Sequence, residues 1–234
     1  MDTGGVEKIS DKLQSYYYTD NKYFEGLEEH FDKNNKIIRD IILPLVKEAN
    51  VIFDSGCGTG VLVRYISQCF PKKEVYGMDI SPLGINIGKQ KAIKYHNCKL
   101  ILGDIVNTGF ENGKFDLIIS YQVVEHIIEP EKLFKEIYRL LKPDGKFYIS
   151  FPNLITQADF GLIVQEITTT LFLLLDKCRI TYLEPDLLCT ACGDRDAVWL
   201  TNPFKIMYML KSAGFIIQKK YGLCHYVCSK GKKT

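Results

Sequence analysis

Short apolar runs alternate with amphipathic stretches between residues 51 and 151. The apolar runs have the length of single strands, and they read VIFDSG, EVYGMD, CKLILGD, KFDLIIS and KFYISF. Between them, apolar residues recur at spacings of three and four, which predicts helices over LVRYISQCF, SPLGINIGKQKAIKY and EKLFKEIYRLL. Strands that alternate with helices pair in parallel and carry helices on both faces. The pattern therefore predicts a doubly wound α/β fold.

Turn-forming residues predict where these elements begin and end. Ser81 is the expected N-cap of the second helix, with Pro82 at its first position. The PDG sequence at 143–145 is expected to stop the third helix before the strand KFYISF. The runs CKLILGD and KFDLIIS both have the composition of buried strands.

The two ends of the chain depart from this alternation. Before Val51, an isoleucine-rich stripe predicts a helix that Pro44 bends. The alternation stops after Pro152 and resumes where Asn202 and Pro203 cap the helix FKIMYMLKSA. GFIIQKKYG and LCHYVCS then meet across a turn at Tyr221 and Gly222, which predicts a terminal hairpin added to the sheet. We expect one domain over residues 1–234, with a helical cap at 1–49 and a lid-like insertion at 152–201.

Composition narrows the class of protein. The chain has 234 residues, 46% of them apolar, and a formal net charge of +2, which gives no strong electrostatic footprint for nucleic acid. The start, MDTGGVEKIS, lacks the apolar core of a secretory signal, so a cytoplasmic protein is expected. The segment FGLIVQEITTTLFLLLD is too short and too polar for a transmembrane helix, although peripheral membrane contact stays open.

Cysteines raise the alternative of a metal site. Cys189 and Cys192 form a CxxC pair, and Cys224, His225 and Cys228 follow. The second half of this set has the wrong spacing for a zinc ribbon or finger. Free thiols are therefore expected among the eight cysteines, and no metal site.

The stretch FDSGCGTG, residues 53–60, lies where the first strand passes into the first helix. Ligands bind at this edge in doubly wound sheets, and glycine permits positive φ and a close approach to the backbone. A dinucleotide fingerprint, G-x-G-x-x-G counted from Gly56, would require a third glycine at position 61, where the chain has Val61. Asp54 would also repel a pyrophosphate.

Three acids lie at the ends of three successive predicted strands. Asp54 suits a cationic amino group, Asp79 suits the two hydroxyls of a ribose, and Asp104 suits the exocyclic amine of a purine. A ligand that satisfies all three contains an amino acid, a ribose and an adenine without phosphate. S-adenosylmethionine is that ligand.

Together these residues resemble the class I S-adenosylmethionine-dependent methyltransferases over about Val51 to Asn153. The glycine loop, the two later acids, FDLIISYQVVEHI and LKPDGKFYISFPN follow the order of that family. Within it, the motifs look most like the ubiquinone-biosynthesis O-methyltransferases and their small-molecule relatives. The resemblance implies a seven-stranded mixed sheet of the Rossmann-like type whose last two strands form an antiparallel hairpin.

The resemblance also assigns residues to the cofactor. Gly56 and Gly58 would pack on its methionine part, Asp79 would bind the ribose, Asp104 with Ile105 would hold the adenine, and the Ser120 carbonyl would accept from the amino group. The full set of expected cofactor residues is Asp54, Gly56, Cys57, Gly58, Gly60, Asp79, Ile80, Asp104, Ile105, Ser120 and Tyr121.

Transfer of the methyl group from a sulfonium is an in-line displacement, which needs a base only when the acceptor carries a proton. Glu125 and His126, just beyond the fourth strand, are the candidate catalytic residues; the alternative for His126 is an ordering role at a helix start. Some relatives hold a divalent metal with a glutamate where this chain has Gln122, so metal assistance is not expected.

The acceptor is expected to be a small or lipid-like metabolite, methylated on oxygen, nitrogen or carbon. Two alternatives stay open: methylation of RNA or protein, and a cofactor-binding protein that has lost transfer. The chain has SYQV where amino-methylating nucleic-acid enzymes carry an N-P-P-Y-type tetrad. The insertion and the tyrosines near Tyr16 are expected to select the acceptor, and the protein is expected to be a monomer or a homodimer.

Overall fold

Seven strands form one mixed sheet in the order β3-β2-β1-β4-β5-β7-β6. The structure is a computed structural model, and it describes residues 24, 26, 29, 35–152, 197–199 and 201–231. The strands are β1 Val51–Ser55, β2 Glu74–Asp79, β3 Cys98–Leu102, β4 Phe115–Tyr121, β5 Leu141–Ser150, β6 Phe215–Lys220 and β7 His225–Lys230. Strands β1 to β5 pair in parallel, and β7 runs antiparallel to β5 and β6. The predicted doubly wound fold and terminal hairpin are confirmed.

Helices cover both faces of the sheet. They are α1 Asn35–Ile37, a π-helical turn Ile38–Ile42, α2 Leu43–Glu48, α3 Val61–Cys69, α4 Pro82–Ala92, α5 Pro130–Leu140 and α6 Pro203–Ser212. One apolar core lies between the sheet and α5 with α6, and contains Phe134, Ile137 and Leu210. The other lies under the π-helical turn, α2, α3 and α4, and contains Ile42, Val63 and Ile85. Within the described ranges, no helix is long and apolar enough to cross a membrane.

The predicted caps are present. The Ser81 hydroxyl accepts a hydrogen bond from the Gly84 N–H at 3.0 Å, and the Asn202 side chain accepts from the Lys205 N–H at 2.9 Å. Each cap satisfies a backbone donor that the first turn of a helix leaves without a partner. Both helices begin with the proline that the sequence placed there.

Pro44 acts on the helix in a different way from the predicted bend. The five residues before α2, Ile38–Ile42, form a π-helical turn, in which the Leu43 N–H bonds to the Ile38 carbonyl. A proline ring clashes with the carbonyl four residues earlier in a regular helix, and the wider π turn relieves that clash. The helix therefore continues past Pro44 toward β1.

Two predictions about the strands are wrong. The PDG sequence does not separate α5 from β5, because β5 begins at Leu141 and contains it. Pairing with β4 shifts from Phe115↔Leu141 to Leu117↔Lys146, so residues 142–145 form a bulge. Strand β3 is also not buried: it lies at the edge of the sheet, where of its residues only Leu100 is fully covered.

The end of the segment expected to be a lid belongs to the core. Ala197, Val198, Trp199 and Thr201 are fully buried, and Trp199 packs with the core beside α5 and α6. Most of the predicted insertion and of the helical cap, with Tyr16, Cys189 and Cys192, lies outside the described residues.

Candidate active site

The glycine loop joins β1 to α3 at the carboxyl edge of the sheet. Gly56, Gly58 and Gly60 have φ angles of +83°, +54° and +69°, in the left-handed region that glycine permits. A Cβ on Gly56 would lie 2.6 Å from a methyl carbon of Val123, and one on Gly60 would lie 2.6 Å from a methyl carbon of Leu100. Side chains are therefore excluded at these two positions by the protein's own packing as well as by the left-handed backbone.

Asp79, the last residue of β2, fixes this loop. Its Oδ2 accepts from the Gly58 N–H at 2.8 Å, and its Oδ1 accepts from the Ser81 N–H at 2.9 Å. Each carboxylate oxygen has two lone pairs, so each keeps acceptor capacity for a further donor such as a ribose hydroxyl. Burial raises the pKa of Asp79, and the two backbone N–H groups and the charge of His126 oppose that rise.

Asp54 is a buried carboxylate next to Asp79. Its side chain lies in β1 with 3% of the residue exposed, and no donor in the described part of the chain hydrogen-bonds to it. Burial raises the pKa of Asp54 well above its usual value, and the negative charge of Asp79 raises it further. A cation bound over the glycine loop would compensate both effects. Cys57 is half-buried in the same loop, and burial raises the pKa of its thiol too.

Exposed apolar side chains flank this pair of acids. Ile80 follows Asp79 and is 50% exposed. Leu102 is the last residue of β3 and is 51% exposed. Two large aliphatic side chains at the carboxyl edge offer a surface for a flat ring, such as a purine. Asp104 is exposed two residues beyond β3, where its Oδ1 accepts from the Val106 N–H at 3.0 Å, and Ile105 beside it is buried.

The end of β4 adds a residue with a strained backbone. Ser120 is fully buried and Tyr121 is half-buried. Gln122, which follows, has a φ of +55°, and among the described residues it is the one non-glycine with positive φ. Its N–H donates to the Ser150 carbonyl at 3.1 Å, and its side-chain amide donates to the Ser150 hydroxyl at 3.2 Å. Non-glycine residues in this region often mark functional sites.

The candidate catalytic residues lie on a short 3-10 turn, Val124–His126. Glu125 is buried, and its Oε1 lies 3.6 Å from Nε2 of His126, whose side chain is 14% exposed. Val198 and Trp199, which lie near the end of the predicted insertion, hydrogen-bond to the backbone of this turn. The Trp199 indole N–H donates to the Val124 carbonyl at 3.0 Å, and the Val198 N–H donates to the Glu125 carbonyl at 2.9 Å.

The structure thus brings the predicted site residues to one edge of the sheet, at the ends of β1, β2, β3 and β4. Three further residues at the site, Leu102, Val123 and Trp199, were not predicted from the sequence. Nothing in the local pattern distinguishes them from core residues, because each matters through a neighbour that is distant in the chain. Among the described residues no cluster has the ligands for a metal. His225 and Cys228 are three apart on β7, so they face opposite sides of the sheet.

Comparison with known proteins agrees with this geometry. Residues 53–149 match the family described as "Methyltransferase domain". A malonyl-[acyl-carrier protein] O-methyltransferase of Marinomonas sp. is 26% identical over 82% of this chain and 75% of its own length. A demethylmenaquinone methyltransferase of Geobacillus sp. is 29% identical over 53% of this chain and 58% of its own length, so the chain spans less than two thirds of that relative.

A solved structure shares this fold. The PH0226 protein from Pyrococcus horikoshii OT3 superposes with a TM-score of 0.60 at 21% sequence identity, over 87% of this chain and 91% of that one. The sheet order, the glycine loop followed by acids at the strand ends, and the family match lead to one assignment. Residues 53–149 carry a methyltransferase domain, and the sheet order and the acids at the strand ends are those expected of the class I S-adenosylmethionine-dependent type.

Proposed function

We propose that this protein transfers the methyl group of S-adenosylmethionine to a small or lipid-like acceptor, on oxygen, nitrogen or carbon. The observation that carries the proposal is the buried Asp54 carboxylate beside Asp79. It has no hydrogen-bond donor in the described part of the chain, and it lies next to a glycine loop at the ligand edge of the sheet. S-adenosylmethionine brings an ammonium and a sulfonium to that edge, and it has no phosphate that the acids would repel.

Each part of the cofactor has a matching group. The ribose hydroxyls donate to the remaining lone pairs of Asp79, and the adenine lies between the exposed side chains of Ile80 and Leu102. Asp104, which is exposed beyond β3, accepts from the adenine amine. The Ser120 carbonyl and Asp54 meet the ammonium group, and Gly56 and Gly58 leave room for the methionine chain. We assign Gly60, Cys57, Ile105 and Tyr121 to the walls of the same site.

The bound cofactor supplies a methyl group on a sulfonium, which needs no further activation. The protein's contribution is to hold an acceptor atom about 3 Å from that methyl carbon, in line with the bond that breaks. We place Glu125 and His126 on the cofactor side of the site. The charge of His126 acts on Asp79 at the end of β2, which suits a residue that orders the ribose site. Trp199 and Val198 fix the turn that carries them.

The names of the relatives do not identify one acceptor for this protein. Their names include a malonyl-acyl carrier protein and demethylmenaquinone, two acceptors that differ in size and chemistry. A small or lipid-like molecule is the class that both names support. Methylation of RNA is disfavoured by the net charge of +2. A protein that binds the cofactor without transferring its methyl group remains the second candidate.

The test is incorporation of label from methyl-labelled S-adenosylmethionine into metabolite extracts. We expect a labelled small molecule with the wild-type protein and none with Asp79→Ala. The control is Asp144→Ala, an exposed acid in the β5 bulge, which should leave incorporation unchanged. Cofactor binding without any labelled product would favour the second candidate, and absence of binding would reject both.

A further inference from the structure

The carboxyl edge of the sheet continues beyond the proposed cofactor site. The cofactor residues lie at the ends of β1, β2 and β3 and on β4, with the methionine part over Gly56. The rest of the same edge is formed by the ends of β4 and β5 and by the start of β7, which runs antiparallel. Tyr121, Ser150 and His225 lie side by side there, because Tyr121 pairs with Ser150 and Ser150 pairs with His225. Neighbouring strands are about 5 Å apart, so this row extends about 10 Å from β4.

A cluster of hydroxyl groups and one imidazole occupies this part of the edge. We name it the hydroxyl-imidazole cluster, and its members are Tyr121, Tyr148, Ser150, Tyr221 and His225. The Tyr148 hydroxyl lies 2.8 Å from Nδ1 of His225, and their rings are nearly parallel with centroids 6.3 Å apart. Tyr148 is fully buried, whereas His225 is half-buried. The Tyr221 N–H donates to the His225 carbonyl at 2.9 Å, which fixes the start of β7.

The strained residue at the end of β4 joins this cluster to the cofactor site. Gln122 bonds to Ser150 through both its backbone and its side chain, and its left-handed backbone is held by those bonds. A strained conformation persists only where its surroundings enforce it. Gln122 therefore connects the loop that carries Val123 and the 3-10 turn with the cluster on β5 and β7.

We propose that His225, held by Tyr148, is the general base that receives the proton of an acceptor hydroxyl, and that the acceptor is a phenol. This proposal rests on the proposed function, since it places the acceptor next to the methyl donor. The acceptor oxygen forms a bond to the methyl carbon while the carbon–sulfur bond breaks and its electron pair stays on the thioether sulfur. The hydroxyl proton passes to Nε2 of His225 and then to solvent.

This role requires one tautomer of His225. In that tautomer the ring donates its Nδ1 proton to the Tyr148 oxygen 2.8 Å away, which leaves a lone pair on Nε2. In the described part of the chain no group hydrogen-bonds to Nε2. The imidazolium that forms keeps its Nδ1 donor on Tyr148, so the tyrosine orients the ring before transfer and stabilises it afterwards. Tyr148 is a positioning residue, because it acts through His225.

The surroundings keep His225 neutral at physiological pH. Burial lowers the pKa of His225, so the ring is ready to accept a proton above that pKa and loses this capacity as the pH falls through it. Among the described residues, Tyr148 and Ser150 of β5 lie next to His225, the Tyr221 N–H bonds to its carbonyl, and Tyr121 of β4 lies two strands away on the same edge. Lys219 of β6 lies 4.6 Å from the Tyr221 ring centre. The π-helical turn and α2 contribute aliphatic side chains to this face, including Ile42 and Val46.

The chemistry of the cluster favours a phenol over other acceptors. An amine is cationic in water and calls for a carboxylate, and the hydroxyl-imidazole cluster contains none. A carboxylic acid is already ionised at neutral pH and needs no base. A phenol keeps its proton, with a pKa of about 10, and an imidazole can remove it as the new bond forms. The half-buried rings of Tyr121 and Tyr221 offer an aromatic surface beside the base.

The test uses phenol itself as the acceptor and the whole 234-residue chain. With S-adenosylmethionine we expect anisole from the wild-type protein, and His225→Gln should lower its rate of formation ~100-fold while S-adenosylhomocysteine binds as before. Tyr148→Phe should lower the rate less and move the acidic limb of the pH profile. The exposed His96 supplies the matched control. His96→Gln should leave both the rate of anisole formation and its pH profile unchanged.

A second measurement does not depend on turnover. Nitrogen NMR of the histidine rings, in protein saturated with S-adenosylhomocysteine, should show an unprotonated Nε2 and a protonated Nδ1 for His225. The proposal is overturned if Nε2 carries the proton, if phenol yields no anisole, or if His225→Gln retains the wild-type rate. A protein that does not bind S-adenosylhomocysteine in calorimetry would instead reject the proposed function.

Discussion

At Gly56, two separate constraints exclude any other residue. Its φ of +83° is costly for a residue with a Cβ, and that Cβ would meet Val123 at 2.6 Å. Gly109 separates the two effects, because it has a φ of +71° but no atom within 4 Å of an added Cβ. The backbone cost alone is about 1 kcal/mol, and a forced overlap in a packed site adds about 1–3 kcal/mol.

We therefore predict that Gly56→Ala lowers the free energy of unfolding by clearly more than Gly109→Ala does, as measured by urea denaturation. Gly56→Ala should also weaken binding of S-adenosylhomocysteine, whereas Gly109→Ala should not. Equal losses of stability in the two variants would show that Val123 does not constrain the loop.

The buried Asp54 carboxyl makes the stability of the protein depend on pH. The pKa of Asp54 is raised in the folded protein by burial and by Asp79. A raised pKa means that the native state holds the proton more tightly than the unfolded state does. Asp54 thus favours folding below its ordinary pKa, and this contribution is lost as the pH rises through the folded value. In Asp54→Asn the ligand-free protein should lose less stability than the wild type between about pH 5 and pH 8.

Urea midpoints of both proteins, measured across that pH range, test this prediction. Parallel curves of stability against pH for the wild type and Asp54→Asn would contradict it. Asp54→Asn should weaken cofactor binding at the same time, because an amide cannot compensate a cation. The acids with lowered pKa values, Asp116 and Glu136, do not interfere, since they titrate below this range.

At the scale of elements, the loop after β3 depends on α5. The Glu136 carboxylate accepts from the Thr108 N–H at 3.0 Å and from its hydroxyl at 2.7 Å, and it pairs with Arg139 at 2.7 Å. Arg139 in turn donates to the Phe110 carbonyl at 2.7 Å. These bonds hold the segment that begins with Asp104 and Ile105, so we expect them to position the adenine end of the site.

Glu136→Ala should lower stability by about 1–3 kcal/mol and weaken binding of adenosine-containing ligands. Glu129 provides the matched control. It forms an ion pair with Lys132, three residues later, as Glu136 does with Arg139, but on an exposed surface. Glu129→Ala should cost less than about 1 kcal/mol and leave binding unchanged. Calorimetry with S-adenosylhomocysteine measures the second effect, and equal affinity in the two variants would contradict the role of Glu136.

Element boundaries also show where sequence patterns stop being informative. Strand cores and caps are local, so β2 and the cap at Ser81 could be predicted from neighbouring residues. The bulge in β5 and the π turn before Pro44 depend on partners in other elements. Trp199 is the clearest example: it lies in a segment expected to be a lid, yet it is fully buried and binds the Val124 carbonyl.

At the scale of the whole molecule, the doubly wound fold class could be predicted from the regular alternation of strands and helices. The glycine loop and the acids after it locate the cofactor side of the site, because their chemistry is visible residue by residue. The acceptor side could not be predicted in this way. In the sequence, His225 belongs only to a possible cysteine-rich metal motif, and its closeness to Tyr148 arises from the pairing of β5 with β7.

The central claim is that the carboxyl edge around Asp54, Asp79 and the glycine loop binds S-adenosylmethionine. Calorimetric titration of the whole 234-residue chain with S-adenosylhomocysteine tests it most directly. We predict saturable binding at one site per chain, which Asp79→Ala abolishes and Asp144→Ala preserves. Absence of binding, or equal affinity in Asp79→Ala and the wild type, would contradict the claim.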